Sequence, residues 1–449
     1  MGKLDLILRG GTVVTPTELR SVDVGVAGGK IVALEPNLTA SGKAEINASG
    51  LHVFPGVIDA HVHFNEPGRA EWEGLATGSQ SLAAGGGTLF FDMPLNAHPP
   101  TVDAASFDLK LAAARASSLV DFAFWGGLVP GNVDKLGELA ERGVIGFKAF
   151  MSNSGIEDFA SVDDTTLREG MKRAAQLKKI VAVHAESERL TSELTAKQLR
   201  AGKTSIRDYL ISRPIAAELE AIRRAIAIAG ETGCALHIVH VSSGKGVALV
   251  AKARAMGADV TCETCPHYLV LTEDDVLKLG AVAKCAPPLR MATVQRTLWH
   301  HVATEHVTTI GSDHSPAPPD MKRDANFFKV WGGISGAQHT LPLLITEGHV
   351  QREIALPLLA RMLSFNVAQR FNLPERKGAI KIGGDADLAL VDLAAEFTVE
   401  QKDLFYRHKQ SPYVGRKLRG KVAQTFVRGR TVFKDGKITA KALGELVRP

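Results

Sequence analysis

The middle of the chain alternates between two patterns of hydrophobic and polar residues. Short runs that are apolar throughout recur every few tens of residues, and segments with helical spacing, such as Ala216–Ala229 and Lys245–Met256, lie between them. Strands that are apolar along their whole length and alternate with helices are typical of a parallel sheet. The runs predicted to be strands are Gly56–Ile58, Thr88–Phe91, Phe122–Leu128, Gly146–Phe150, Val181–Val183, Ala235–Val241, Asp259–Cys262 and Thr308–Gly311.

About eight such units over roughly 320 residues favour a closed (β/α)8 barrel of the TIM type, with an open doubly wound sheet as the alternative. Both chain ends instead contain short apolar stretches separated by turns with glycine. These stretches include Leu4–Leu8, Val22–Val26, Asp387–Leu393 and Val422–Val427. The two β-rich ends predict one small β-sandwich domain made from residues 1–53 and 378–449. A catalytic barrel of residues 54–377 would lie between them in the sequence.

Composition agrees with an α/β enzyme that has one large and one small domain. The 449 residues are 45% hydrophobic and 22% charged, which is ordinary for a globular enzyme. The net charge is only +5 and the basic residues are scattered, so we expect no nucleic-acid partner. The sequence MGKLDLILRGGTVV does not have the pattern of a signal peptide, and no stretch approaches the roughly 20 apolar residues of a membrane helix. We therefore expect a cytoplasmic protein without membrane contact.

The chain contains only four cysteines, Cys234, Cys262, Cys265 and Cys285, too few for a disulfide framework in a chain of this length. Cys262 and Cys265 form a C-x-x-C pattern, which also occurs in zinc and redox sites. No second pair completes a zinc site, so buried free thiols are the preferred interpretation.

Candidate metal ligands lie where the predicted strands end. His61 and His63 form an H-x-H pattern, and side chains two positions apart on a strand point to the same side. In a parallel barrel the carboxyl ends of all strands meet at one face, which carries the active site. The candidate ligands, each at the end of an apolar run, are His61, His63, Lys148, His184, His240 and Asp313. Their shared position predicts a metal site. Two other histidines are not expected to be ligands. His237 fits the barrel core better, and the His314 side chain would point to the opposite side of the strand from Asp313.

The order H-x-H, Lys, His, His, Asp resembles the amidohydrolase superfamily, in its branch of cyclic amidases with a carboxylated lysine. The likeness spans nearly the whole chain and implies two divalent metal ions, zinc before cobalt, manganese or iron, with a hydroxide between them. It also implies a carbamate formed from carbon dioxide on Lys148, because an unmodified ammonium has no lone pair for a metal. The more buried ion would be held by His61, His63, Lys148 and Asp313, and the other by Lys148, His184 and His240. Asp313 would act as general base and then as general acid, and the expected assembly is a homotetramer.

Residues beside the ligands distinguish among relatives. Asn65 stands where dihydroorotases have an arginine for a substrate carboxylate and where hydantoinases and dihydropyrimidinases usually have Asp. No tyrosine follows Lys148 as it does in hydantoinases. The stretches HVHFNEPGRAEWEG, GFKAFMSNSG, GSDHSPAPPDMK and SPYVGR instead resemble the allantoinases. This likeness implies hydrolysis of allantoin to allantoate.

The polar pocket expected for allantoin consists of Asn65, Ser152, Asn153 and Ser154. Asn96 is a further candidate contact, although a turn would explain this residue equally well, and Cys285 and Ala286 would contribute main-chain groups only. His267 could contact substrate, but a structural role is preferred. The nearest alternative function is that of a hydantoinase or dihydropyrimidinase, and a dihydroorotase is less favoured. A remote alternative is a scaffold protein without metal, but such relatives typically lack several of the six ligands.

Overall fold

The computed structural model describes residues 3–449, and it contains parallel strands in the middle of the chain and sheets built from both ends. The strands are β1 (Leu4–Arg9), β2 (Thr12–Val14), β3 (Leu19–Ser21), β4 (Asp23–Ala27), β5 (Lys30–Glu35), β6 (Gly42–Asn47), β7 (His52–Pro55), β8 (Val57–Val62), β9 (Gly87–Asp92), β10 (Asp121–Phe124), β11 (Gly126–Gly127), β12 (Gly146–Phe150), β13 (Ile180–His184), β14 (Leu236–Ile238), β15 (Val260–Thr264), β16 (Thr309–Ile310), β17 (Leu388–Thr398), β18 (Lys417–Val427), β19 (Arg430–Lys434) and β20 (Lys437–Ile438).

Helices follow most of the parallel strands. They are α1 (Leu75–Ala84), α2 (Ala104–Ser117), α3 (Leu136–Arg142), α4 (Asp164–Gln176), α5 (Glu188–Arg200), α6 (Ile206–Ser212), α7 (Ile215–Thr232), α8 (Gly244–Ala255), α9 (Pro266–Val270), α10 (Glu273–Leu279), α11 (Ala292–Ala303), α12 (Thr340–Leu344), α13 (Leu356–Ala360) and α14 (Asn366–Arg370). Side-chain caps begin several of them. The Asp163 carboxylate accepts the Thr166 N–H at the start of α4, and the Ser243 hydroxyl accepts the Gly246 N–H at the start of α8.

The eight predicted apolar runs form a parallel barrel, which confirms the predicted fold class. Strands β8, β9 and β10 pair side by side, and β11 to β16 pair in chain order. Only Trp125 separates β10 from β11, so these two short strands join the two sheets as one interrupted strand. A parallel bridge between Val62 and His314 connects β8 to the segment after β16 and closes the ring. The main local difference between the predicted and the observed strands is in the run 235–241. Strand β14 ends at Ile238, and His240 beyond it has a left-handed backbone with φ 38°.

Both chain ends contribute to two further sheets. One has the order β5-β4-β1-β6, and the other has the order β20-β19-β18-β17-β7-β2-β3, so strands from both ends lie side by side. The two sheets share one hydrophobic core, in which Leu8 and Val24 of the first sheet pack with Val53, Leu390 and Phe426 of the second. This arrangement is the β-sandwich expected from the pattern. The exact limits given above for the two domains stay a prediction.

A buried ion cluster lies where the barrel meets the strands of the sandwich. The Lys377 ammonium is 2.6 Å from Asp121 Oδ2 at the start of β10, 2.6 Å from Asp387 Oδ2 and 3.0 Å from Asp385 Oδ2. Burial lowers the pKa of Lys377, but the three carboxylates outweigh it and raise the pKa above its usual value. The cluster therefore ties the amino-terminal side of the barrel to the segment that enters β17.

Two further expectations concern the chain as a whole. Within residues 3–449, no helix combines the length and apolar character needed to cross a membrane. Cys234, Cys262, Cys265 and Cys285 are all free and buried, which confirms the preferred interpretation of the cysteines.

Candidate metal centre

Three of the six candidate ligands form a compact buried group. His61 lies on β8, His63 follows it, and Asp313 lies three residues beyond β16. Asp313 Oδ1 is 3.2 Å from His61 Nε2 and 3.4 Å from His63 Nε2. One atom from each of the three side chains lies within 4.8 Å of the others, a spacing suited to one metal ion. In the part of the chain that the structure describes, Cys262 and Cys265 belong to no such group.

His184 and His240 form a second group beside the first. His184 Nδ1 lies 3.0 Å from His240 Nε2, and both side chains are buried. The rings of His61 and His240 are 5.4 Å apart between centroids, so the two groups adjoin. Burial lowers the pKa of His184 and that of His240, which favours neutral imidazoles with lone pairs available to a metal.

Lys148 lies on β12, near both groups. Its side chain is fully buried, and its ammonium nitrogen finds no hydrogen-bond partner among residues 3–449. This nitrogen lies 4.6 Å from the centroid of the Phe150 ring, which stacks on the His184 ring at 4.6 Å. Burial lowers the pKa of Lys148 to about 7, although Asp313 and Glu263 act in the opposite direction. A buried nitrogen of this kind can exist as a neutral amine near pH 7.

Two buried glutamates hold the outer nitrogens of two histidines. Glu263 Oε1 lies 2.8 Å from His61 Nδ1, and Glu186 Oε2 lies 2.8 Å from His184 Nε2. Arg213 in turn binds Glu186, with Nη2 2.6 Å from Oε2. A carboxylate at one ring nitrogen fixes the proton there and leaves a lone pair on the other nitrogen. His61 Nε2 and His184 Nδ1 are therefore the free acceptors, and both face the centre of the site. The residues present thus fit a divalent metal centre.

The backbone around these side chains makes room for Glu263 and holds the segments that carry His61 and Asp313 together. A Cβ atom on Gly311 would lie 2.6 Å from Glu263 Oε2, so a glycine is required where that carboxylate approaches. Asp59 Oδ1 accepts the N–H groups of His61, at 3.2 Å, and of Ser312, at 3.0 Å, and so joins β8 to the segment that carries Asp313. Burial raises the pKa of Asp59 to about 6, despite the hydrogen bonds from Ser312.

Four predicted site residues have a left-handed backbone, which is uncommon for residues with a side chain. The φ angles are 65° for Asn65, 69° for Asn96, 38° for His240 and 47° for Asp313. Such conformations cost free energy and concentrate at functional sites. Here each occurs just after a barrel strand or in the segment that follows it, where the chain turns and presents a side chain at the carboxyl face.

A cavity opens onto these groups. Of the predicted substrate residues, Asn96, Asn153, Ser154, Cys285 and Ala286 line it, together with the histidine ligands and Asp313. Asn65 and Ser152 are buried, and neither is among the lining residues. The Asn65 amide nitrogen lies 3.5 Å from the carbonyl oxygen of Pro316.

Several residues of the site had not been singled out from the sequence. The cavity wall also contains apolar and small residues, namely Leu95, Phe150, Ser315, Trp331, Gly332 and Gly333. The Gly332–Gly333 pair after Trp331 is a turn signal that could have drawn attention to this loop. The sequence gives a weaker indication of Glu186 and Glu263, because each is an acidic residue within or just after an apolar run. It gives no indication of Arg213, because the partner of this residue, Glu186, is distant in sequence.

The surroundings of three further histidines differ from those of the candidate ligands: His237 and His314, which are not expected to be ligands, and His267, for which a structural role is preferred. His237 Nδ1 lies 2.8 Å from Thr261 Oγ1, within the barrel core. His314 Nδ1 accepts the Gly336 N–H at 3.1 Å, and its Nε2 lies 3.6 Å from Glu73. His267 is fully buried, and neither of its ring nitrogens has a hydrogen-bond partner in the described chain.

Comparison with known proteins agrees with this site. The model of the amidohydrolase family matches residues 52–432. An allantoinase of Rubrobacter xylanophilus is 57% identical over 449 residues, covering 100% of this chain and 98% of the relative. Allantoinases of Solibacter usitatus and Deinococcus radiodurans are 54% and 51% identical, each over 99% of this chain and 97% and 99% of the relative.

Solved structures of hydantoinases have the same fold. The L-hydantoinase (dihydropyrimidinase) of Arthrobacter aurescens superposes with a TM-score of 0.97 at 32% identity, over 99% of this chain and 100% of that one. The dihydropyrimidinase of Brevibacillus agri gives 0.92 at 30% identity, over 98% of each chain. Because the family model and these relatives cover nearly the whole sequence, the chain belongs to the amidohydrolase family, in the branch that contains the allantoinases.

Proposed function

We propose that this chain hydrolyses the cyclic amide of allantoin and opens the hydantoin ring to give allantoate. The observation that carries the proposal is the buried group of His61, His63 and Asp313 in a chain that aligns from end to end with curated allantoinases. The three side chains support a metal-dependent hydrolysis, and the similarity to allantoinases along the whole chain supports allantoin as the substrate. The solved hydantoinases favour a second candidate, a hydantoinase or dihydropyrimidinase, at lower identity.

Two divalent metal ions, zinc before cobalt, manganese or iron, would complete the site. One would be held by His61, His63, Lys148 and Asp313, and the other by Lys148, His184 and His240. Lys148 would act as a carbamate formed with carbon dioxide, because its buried nitrogen lacks a partner and its lowered pKa favours the amine that adds carbon dioxide. When bound, such ions polarise an amide carbonyl and lower the pKa of water toward neutrality. Mixed imidazole and oxygen ligands suit each of these metals.

Asp313 is the proposed general base and acid. Burial raises the pKa of this carboxyl group, but His61, His63 and His240 outweigh it and hold the pKa well below its usual value. The group is therefore ionised and can accept a proton from the attacking water. As the new C–O bond forms and the ring C–N bond breaks, the same proton passes from Asp313 to the leaving nitrogen. One carboxylate thus serves both steps, and the net change is the addition of one water molecule.

The polar groups of the cavity suit an uncharged substrate rich in donors and acceptors. Asn96 Nδ2 lies 3.3 Å from His63 Nδ1, and its Oδ1 is buried without a partner, so it can accept an N–H of the substrate. Asn153 uses its N–H on Glu188 and its Oδ1 on the Gly155 N–H, which leaves its amide NH2 to donate. Cys285 and Ala286 would contribute main-chain groups. Asn65 and Ser152 are proposed to shape the pocket from behind these residues.

The test is a substrate panel on the purified protein, with the metal content of the same sample measured by elemental analysis. We expect allantoin to be consumed much faster than hydantoin, dihydrouracil or dihydroorotate, with about two metal ions per chain as in binuclear hydrolases. A preference for hydantoin or dihydrouracil would replace the proposed substrate by the second candidate. Metal-free protein that gains no activity on any of these compounds when metal is added would instead indicate a non-catalytic scaffold.

Location and assembly belong to the same proposal. We expect the protein to act in the cytoplasm as a homotetramer, with no nucleic-acid or membrane partner. Gel filtration with light scattering tests the tetramer directly. A monomer at micromolar concentration would contradict it.

A further inference from the structure

The loop of residues 327–333 forms part of the wall of the substrate cavity and of a wider cavity outside it. Trp331, Gly332 and Gly333 line the inner cavity beside the candidate ligands. Phe328, Val330 and Trp331 also line the outer cavity, which shares Asn153 and Ala286 with the inner one. The loop contains no regular strand or helix in residues 327–333. Its carbonyl groups therefore need hydrogen-bond donors from elsewhere.

Lys284 supplies donors to the first half of this loop. Its side chain is only 4% exposed. Its ammonium donates to the carbonyl oxygens of Phe327 at 2.6 Å, Phe328 at 3.4 Å and Val330 at 2.5 Å. The nitrogen also lies 4.5 Å from the centroid of the Tyr209 ring. The Lys284 carbonyl accepts the Gly333 N–H at 2.8 Å, so both the side chain and the backbone of Lys284 hold the loop.

Lys322 supplies donors to the second half. Its partly buried ammonium donates to the carbonyl oxygens of Trp331 at 3.0 Å and Gly333 at 2.7 Å. A third, longer hydrogen bond of 3.3 Å goes to Ala281, just before Lys284 in the chain. Both ammonium groups therefore donate all their hydrogen bonds to backbone carbonyl oxygens. A lysine ammonium has three donors, and here each ammonium meets three acceptors.

Burial lowers the pKa of Lys284 and of Lys322 to about 7. The carbonyl oxygens favour the ammonium form because a neutral amine would offer one donor fewer. An unpaired carbonyl in this position would lose its hydrogen bond without gaining water in return. The five loop carbonyls that the two lysines hold are those of Phe327, Phe328, Val330, Trp331 and Gly333.

We propose that Lys284 and Lys322 are positioning residues, which bind the carbonyl groups of the loop 327–333 and so fix the shape of the cavity that receives the cyclic amide. The identity of the substrate in this inference rests on the proposed function, whereas the expected effect on the loop does not. Lys284 lines the outer cavity, and neither lysine lines the inner cavity that contains the metal ligands, so their loss should weaken substrate binding more than the chemical step.

The test compares Lys284→Met and Lys322→Met with the wild-type protein loaded with metal. We expect KM for allantoin to rise about tenfold, equivalent to about 1.4 kcal/mol, while kcat changes by less than about threefold. Hydrogen–deuterium exchange should become faster in residues 327–333 and remain unchanged in β12. Lys278→Met, on the exposed side of α10, is the matched control and should leave both measurements unchanged.

A third variant separates positioning from general damage to the fold. In Lys284→Ala, added propylammonium should restore KM toward the wild-type value, whereas propanol, which has the same chain length without the charge, should not. If Lys284→Met does not fold, Lys322→Met and the rescued Lys284→Ala carry the same test. Unchanged KM and unchanged exchange of the loop in the folded variants would overturn the proposal. If the wild-type protein prefers another cyclic amide, only the substrate assignment fails, because KM is then measured with that compound and the exchange is read independently.

Discussion

The imidazole of His61 faces the carboxylate of Glu263 across the barrel, with Nδ1 2.8 Å from Oε1, although the two residues are 202 positions apart in the chain. Burial raises the pKa of Glu263, but His61 and His237 outweigh it and lower the pKa to about 2. An ionised Glu263 keeps the proton on His61 Nδ1 and turns Nε2 toward Asp313. The ligand atom of His61 is therefore selected by a residue from a different strand.

Replacing Glu263 by glutamine should weaken metal binding. The amide is nearly the same size but has no charge to hold the His61 proton, and loss of such a partner typically costs about 10- to 100-fold in metal affinity. Competition with a coloured chelator measures the affinity, and activity should return when metal is in excess. Glu141→Gln, at an exposed position of α3, is the control. Unchanged affinity in Glu263→Gln would show that Glu263 does not set the ligand atom.

Lys148→Ala should abolish activity and lower the bound metal. The substitution removes the only one of the six candidate ligands that requires modification, and a short carboxylic acid added to the medium should restore part of both. Lys172→Ala, at an exposed position of α4, should behave as the wild-type protein. Elemental analysis and turnover of allantoin are the measurements. Wild-type activity in Lys148→Ala would contradict the two-metal site.

Lys377→Met should destabilise the fold without changing the metal centre. Arg428 still pairs with Asp121, and Arg376 still pairs with Asp385. Asp387, however, is left without a cation among the described residues, and breaking a buried ion pair in this way costs about 3–5 kcal/mol. Thermal unfolding measures the loss, and metal content per folded chain should be unchanged. Lys381→Met, four residues away and exposed, is the matched control. Equal thermal midpoints for the two variants would show that the cluster is not needed for stability.

His339 should make stability depend on pH. Burial lowers the pKa of His339 to about 4, compared with about 6.5 for an exposed histidine. Between these values the unfolded chain takes up a proton that the folded chain excludes, so the free energy of unfolding falls as the pH falls from 6.5 toward 4. The full contribution is about 3 kcal/mol, at 1.36 kcal/mol per pKa unit.

The variant His339→Gln should therefore lose thermal stability less steeply than the wild-type protein between pH 7 and pH 5. Comparing slopes rather than absolute midpoints removes any constant effect of the substitution on packing. His300→Gln, at an exposed position of α11, should keep the wild-type slope. Parallel slopes for His339→Gln and the wild-type protein would show that His339 does not contribute to the pH dependence.

The sequence by itself determined the architecture and the residue types of the site. Apolar runs of strand length, alternating with helical segments, can bury both faces only in a parallel sheet covered by helices, and the barrel follows from their number. The position of His61, Lys148 and Asp313 at the ends of such runs also follows, because carboxyl ends of parallel strands share one face. This information is local and periodic, so it can be read from one chain.

The tertiary structure alone decided which atoms face each other. The partners of His61 and His184 are Glu263 and Glu186, and only Glu186 is close in sequence to its histidine. The loop 327–333 joins the cavity wall because Lys284, more than 40 residues earlier, binds its carbonyl groups. Asn65 and Ser152 lie beside predicted ligands in sequence but do not line the cavity. Hydrogen bonds between distant segments depend on how the barrel closes, and hydrophobic periodicity carries no record of those pairings.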